Sequence, residues 1–136
     1  MSSILARLSQ TVPPGAAKVI AVTDVDLCTP VLSFVFGAAV LDGSAAVVSI
    51  CRLRPEFHGM APDEALLTTR LYKECMHELG HCFGLYHCDE PGCAMFFSSS
   101  VLIIDFKDGG FCPGCSGLLN EKMRKEQDEE REDTDR

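Results

Sequence analysis

Basic residues are scarce in this 136-residue chain: twelve lysines and arginines stand against twenty aspartates and glutamates, a formal charge of −8. A nucleic-acid binder neutralises phosphates along a basic stripe, and no such stripe is available, so nucleic acid is excluded as an expected partner. Long apolar runs are lacking too. None approaches the ~20 residues of a membrane span, and "MSSILARLSQ" is too briefly apolar for a secretory signal before "TVPPG" interrupts it. The expectation is a cytoplasmic monomer with no membrane partner. No internal repeat is visible, and the length suits one domain with a modest core. Histidine is sparse at four residues, yet three of them fall within "HELGHCFGLYHC", residues 77 to 88. Cysteine is the opposite case, with eight copies in a chain expected to sit where disulfides are rare. Both observations point toward metal.

Along the chain, "SILARLSQ" can form a short helix that the prolines at 13 and 14 would end. "KVIAVTDVDL", residues 18 to 27, reads as a buried strand because its apolar run is short and β-branched. "VLSFVFGAAVLDGSAAVVSICRL" reads as two strands joined near Asp42 and Gly43, a strong hairpin signal. "RPEFHGMAP" reads as a loop. One long helix is predicted from Pro62 to about Phe83. Pro62 suits its first position, Asp63 and Glu64 its positive end, and Gly84 the left-handed residue that stops it. Loop chemistry follows, with "DEPG" and "DGGFCPG", until a last helix from about Ser116. Strands, then a long helix, then an irregular cysteine-bearing segment suggest an α+β domain. The closing stretch, residues 121 to 136, carries eight acidic and five basic side chains and so −3 of the charge. It reads as a solvated helix end that frays, with an acidic docking tail as the alternative.

On a helix His77 and His81 share one face, with Cβ atoms ~5–6 Å apart. That separation lets two imidazoles reach one zinc at ~2.0–2.1 Å. Glu78 is rotated by roughly 100° from His77, near enough to reach a water on the metal without ligating it. H-E-x-x-H therefore holds two ligands and a general base. A third ligand must come from chain that turns back sharply. Gly84 permits the turn, and His87, three residues later, is placed to be that ligand. Three protein ligands leave one zinc position open for water, the mark of a catalytic site. H-E-x-x-H alone occurs by accident in ordinary helices. With Gly84 and His87 added, histidines satisfied merely by hydrogen bonds become the weaker account. His58, in "EFHG", fits no such pattern.

Cys88 follows His87 directly, Cys93 comes five residues later, and Cys112 and Cys115 form a C-x-x-C pair in a Gly/Pro turn. Two pairs, one with a tight metal-knuckle spacing, make a four-cysteine zinc site in which the thiolates close the coordination shell and the metal is structural. A redox role for Cys112 and Cys115 is the alternative, although such a pair normally follows a strand and opens a helix. Cys28, Cys51, Cys75 and Cys82 lack partner spacing and most of them read as small buried thiols, with Cys75 and Cys82 on the core-facing side of the long helix.

"HELGHCFGLYHC", then Cys93, Met95 and "CPGC", resembles the archaemetzincin signature, a compact branch of the metzincin zinc peptidases. The resemblance runs from about Lys18 to the final helix and takes in "VTDVDL", "FVFG" and "RLRPEF". It implies a zincin-like α+β domain with a small twisted mixed sheet, a long active-site helix and a zinc-stapled C-terminal part. The segments would be 1–84, 85–120 and the acidic tail 121–136. Two zincs per chain are implied, a catalytic one on His77, His81 and His87 with Glu78 as base, and a structural one on Cys88, Cys93, Cys112 and Cys115. Met95 would form a tight turn beneath the histidine ligands. Family members usually carry more chain before the strand matched by "KVIAVTDVDL" than the 17 residues ahead of Lys18, so the expectation is either a missing first strand or an unusual gene start.

The implied activity is hydrolysis of peptide bonds in peptide or protein substrates, some members being described as aminopeptidases. A zinc-bound water would attack and Glu78 would take its proton. Substrate is expected to pair with an exposed edge of "AAVVSICRL", residues 45 to 53. The alternative function is a silent zinc-stabilised binding module, in which a thiol such as Cys28 or Cys51 caps the histidine site.

Overall fold

Three segments of β-branched and small residues build the sheet of the computed structural model, which describes residues 2–134. Helix α1 (Ser2–Gln10) precedes strand β1 (Val19–Thr23), followed by β2 (Gly37–Ala39) and β3 (Ala45–Ser49). A 3-10 turn (Pro55–His58) leads into the long helix α2 (Glu64–Cys82), and α3 (Val101–Phe106) and α4 (Pro113–Thr134) follow. The sheet is mixed, in the order β1-β3-β2, with β1 parallel and β2 antiparallel to β3. Among the described residues, no helix is long and apolar enough to cross a membrane.

Every residue of β3 is buried because the strand is covered on both faces and paired on both edges. Successive side chains on a strand point to opposite faces. Val48 accordingly packs with Phe36, Leu53, Ile104 and the apolar side of α2, while Val47 packs with Leu5 of α1 and Leu27. Burying such a side chain contributes roughly 1.5–3 kcal/mol. Strand β1 is shorter than its sequence suggests and only half-buried, since its outer edge carries no partner strand.

The hairpin forms where expected. Asp42 takes φ 55° and Gly43 N–H donates to Val40 O at 2.9 Å. The turn also does a second job: Asp42 N–H donates to His81 O at 2.8 Å, tying the hairpin tip to the last turn of α2. Helix C-termini leave carbonyls without partners, so this contact satisfies one of them and fixes the end of α2 against the sheet.

Four further boundaries differ from expectation. Pro62 lies before α2 rather than in it, because Asp63 is the N-cap: its backbone is extended and its side chain accepts from Leu66 N–H. The loop reading of "RPEFHGMAP" gives way to the 3-10 turn. Helix α3 lies in a stretch read as irregular, and α4 starts at Pro113 instead of Ser116. Proline suits a first helical position, where no N–H is required. The acidic stretch from residue 121 is helical through Thr134, and positions 135 and 136 lie outside the described residues. Lys18 anchors α4, with its Nζ 2.8 Å from Glu126 Oε1 and 4.6 Å from the centre of the Phe83 ring.

Candidate metal centres

Helix α2 presents His77 and His81 one turn apart, and two backbone carbonyls orient them. His77 Nδ1 lies 2.7 Å from Ala94 O, and His81 Nδ1 lies 2.7 Å from Leu85 O. A carbonyl can only accept, so in each ring Nδ1 carries the hydrogen and Nε2 is left as a bare lone pair. Those two Nε2 atoms stand 3.1 Å apart. Two acceptors cannot satisfy one another. Two imidazoles on one tetrahedral zinc place their nitrogens ~3.3 Å apart, given bonds of ~2.0–2.1 Å, so the pair fits a cation.

Gly84, at φ 89°, turns the chain after Cys82 and Phe83, with its N–H on His81 O and Leu85 N–H on Gly80 O. The reversal brings His87 over the pair, its ring centre 5.3 Å from that of His77 and 5.0 Å from that of His81. The ligand atoms of His77, His81 and His87 all lie within 4.8 Å of one another. Burial lowers the pKa of all three, taking His77 to about 3, and Lys107 pushes in the same direction. Neutral imidazole is the form that binds metal. His87 is the exposed member of the set and closes the site from the solvent side.

Glu78 is 4% exposed and packs against β2. A Cβ at Gly37 would come within 3.1 Å of Glu78 Oε1 and 2.8 Å of Val47 O, so only glycine lets the strand and the carboxyl share this space. Burial, with Glu74 adding to it, raises Glu78 to about 8. Met95 is fully buried below Gly80, where an added Cβ would overlap its Sδ. His77, Glu78, His81 and His87 line one cleft of about 530 Å³ together with β2 and the chain from Leu32 to Phe36. Cys28 and Cys51 do not line it.

The second cluster gathers Cys88, Cys93, Cys112 and Cys115, with sulfurs within 4.8 Å of one another and none in a disulfide. Cys88 Sγ and Cys112 Sγ are 3.7 Å apart, near the ~3.8 Å that two sulfurs adopt on a tetrahedral zinc with ~2.3 Å bonds. Backbone N–H groups point at the sulfurs: Met95 and Cys112 at Cys93 Sγ, Glu90 at Cys88 Sγ, and Cys115 at Cys112 Sγ. The Cys115 amide is the largest influence lowering Cys112 to about 7, whereas burial and the neighbouring thiols push Cys115 up. Four thiols in one space resist full ionisation without a cation, and a dication suits the donor set. The two centres are joined by Met95 O, which accepts from Cys88 N–H at 2.9 Å, and by Ala94 O on His77.

Two residues at the histidine site had no signal in the sequence. Lys107, 2% exposed, sends Nζ to Ala94 O at 3.2 Å, so it shares with His77 the carbonyl that orients that ring. Glu74, 3% exposed, lies one turn before Glu78 on the cleft side of α2. Of the remaining cysteines, Cys82 is buried as read, whereas Cys51 and Cys75 are only half-buried and Cys28 is exposed.

The profile of peptidase family M54 matches residues 14–121. The archaemetzincin of Methanocaldococcus jannaschii is 44% identical over 113 residues, 83% of this chain and 63% of that protein. That of Thermococcus kodakarensis is 50% identical over 77% of this chain and 56% of its own length. The crystal structure of archaemetzincin from Methanopyrus kandleri superposes with a TM-score of 0.80 at 41% identity, over 90% of this chain and 64% of that one. A zinc-dependent peptidase from Methanocorpusculum labreanum superposes with a TM-score of 0.76 at 36% identity, over 86% and 68%. The chain thus spans about three fifths of the length of the curated relatives it matches.

Proposed function

This chain belongs to peptidase family M54, the archaemetzincins, and on that premise we propose that it is a zinc-dependent peptidase of peptide or protein substrates. The observation that carries the reading is the pair of bare Nε2 atoms 3.1 Å apart, with His87 over them and Glu78 beside them in one cleft. His77, His81 and His87 would hold a zinc ion, which would supply a Lewis acid able to polarise a carbonyl and acidify water.

The chain's own residues do the rest. A carboxylate oxygen of Glu78 accepts the proton of the attacking water and later returns it to the leaving amine. Its burial against Gly37 keeps the carboxyl out of bulk water and raises its affinity for a proton. Ala94 O and Leu85 O hold the two rings in the tautomer that aims Nε2 inward. Gly80 and Met95 support the turn between the two histidines.

The expected edge for substrate does not survive the fold: β3 is the central strand, with both edges already paired. Strand β2 is the free edge that lines the cleft. An extended peptide adds there by main-chain hydrogen bonding. Cys88, Cys93, Cys112 and Cys115 hold a second, structural zinc that ties the segment after α2 to the start of α4. The clustering of all four sulfurs favours this over a redox pair at Cys112 and Cys115. A reducing compartment such as the cytoplasm suits eight free thiols, and the charge of −8 suits a single-domain monomer that leaves nucleic acid alone.

The test is cleavage of a mixed peptide library by zinc-loaded protein beside Glu78→Gln prepared identically. Cleavage by the wild type alone, with zinc retained by both, is expected. Equal rates would sink the mechanism. A binding module capped over the histidines would fail to gain thermal stability from a hydroxamate, whereas an open zinc position gains it.

A further inference from the structure

Among the described residues, Glu74 Oε1 and Ser98 Oγ are the buried side-chain oxygens without a hydrogen-bond partner. Both residues line the histidine cleft. Folded proteins pair nearly all their buried polar atoms, so an orphan needs a reason, and these two belong to residues in the wall of one cleft.

Glu74 lies three residues before His77 and four before Glu78, and so on the same face of α2. It is only 3% exposed, yet no neighbour donates to Oε1. Lys107, the nearby buried ammonium, acts on it only at longer range and sends its own hydrogen bond to Ala94 O. Ser98 comes from the segment beyond Met95, next to Phe97, whose ring lies 5.3 Å from that of His87. The same cleft is lined by the apolar Leu32, Phe34, Phe36 and Phe97. A largely apolar cleft with two unpaired acceptors in its wall residues matches a long aliphatic stem that ends in several N–H donors.

Resting on the peptidase reading, we propose that Glu74 and Ser98 form the base of a specificity subsite that takes the ammonium or guanidinium group of a lysine or arginine side chain next to the scissile bond. The cationic group brings donors for the orphan acceptors, and a charge-assisted bond to a carboxylate is about twice as strong as a neutral one. An acidic side chain meets Glu74 and Glu78 together and is rejected. A purely alkyl side chain fills the cleft but leaves both oxygens unpaired. Glu74 and Ser98 are positioned to select the substrate, while Glu78 alone is placed to move its proton.

The experiment uses zinc-loaded full chain and two hydroxamates of equal length, one ending in a primary ammonium and the other in a methyl group. Calorimetry is expected to show the ammonium probe binding roughly tenfold tighter, with the preference abolished in Glu74→Gln and reduced in Ser98→Ala. Equal or tighter binding of the methyl probe to the wild type overturns the subsite and leaves the peptidase reading standing. Failure of both probes to bind overturns the open zinc position, and the subsite with it. The wild-type comparison decides even where a variant does not fold. N-acetylated peptides that differ only in lysine against norleucine then locate the source of the cation. A lysine preference in blocked peptides is expected. A preference seen only with a free amino terminus would assign the site to the α-ammonium and overturn the side-chain assignment.

Discussion

Gly80→Ala should destabilise the protein, although alanine is the better helix residue. In an ordinary helix interior the change gains ~1 kcal/mol. Here the new Cβ overlaps Met95 Sδ, approaches Met95 Cε at 3.1 Å, and reaches Phe111 Cε1 at 3.3 Å. Met95 cannot simply retreat. Its side chain is fully buried, its O accepts from Cys88 N–H, and its N–H faces Cys93 Sγ. Overpacking of this kind costs ~1–3 kcal/mol, so after the helix gain the net loss is up to ~2 kcal/mol. Strain passes next to Ala94, whose carbonyl orients His77, and zinc affinity at the histidines should fall by about an order of magnitude, as for other residues that orient a ligand. Urea unfolding of zinc-loaded protein and zinc competition with a chromophoric chelator measure the two effects. Combining Gly80→Ala with Met95→Ala should recover part of the loss, giving a coupling energy of ~1–2 kcal/mol. If Gly80→Ala gained ~1 kcal/mol and showed no coupling to Met95, Met95 would not be wedged beneath the ligand helix and the reasoning would fail.

Arg70 is 6% exposed, with Nε and Nη2 at 2.8 Å from the two oxygens of Asp105 and Nη1 on Leu53 O. Asp105→Ala strands that cation and should cost roughly 2–4 kcal/mol in urea unfolding; a loss under about 1 kcal/mol would mean that solvent already screens the pair. In metal-free protein the folded-state pKa of His77, about 3, lies below the unfolded value, so the unfolded chain takes up the proton first. Its contribution is intact above about pH 6.5 and is lost as pH falls toward 3. His77→Gln should therefore flatten the pH dependence of stability in that window by up to ~1.4 kcal/mol per pH unit, and identical slopes would refute the burial account. Cys112→Ser should lose one bound zinc and lower the unfolding midpoint. It should also weaken zinc at the histidines, because Cys93, Ala94 and Met95 connect the centres; unchanged histidine-site affinity would show them independent.

The parts of the site legible in the sequence are those governed by short-range geometry. Four residues along a helix return to the same face, so His77 and His81 could be paired before any fold was known. A left-handed glycine reverses the chain within a few residues, so His87 could be added. The hairpin at Asp42 and Gly43 and the C-x-x-C turn are equally local. Where Pro62 and Asp63 compete for the start of α2, the boundary slipped by two residues because a side-chain cap on Leu66 decided it. Helix α3 escaped notice because six residues are too few to show a helical period, and their helix is held by Arg70 across 35 positions.

Glu74, Lys107 and the open edge of β2 depended on distant chain. Nothing near residue 107 marks a buried lysine; the carbonyl it reaches is thirteen residues away, and the carboxyls it faces are on α2. Which strand is central depends on β1 returning parallel to β3, a pairing that alternation alone cannot express. The sequence by itself determined which atoms could bind metal, because helical spacing and a glycine turn act over a few residues. The tertiary structure alone decided which carboxyls are dry, which carbonyls aim the histidines and which strand edge is free. Burial and pairing are properties of what arrives from far along the chain.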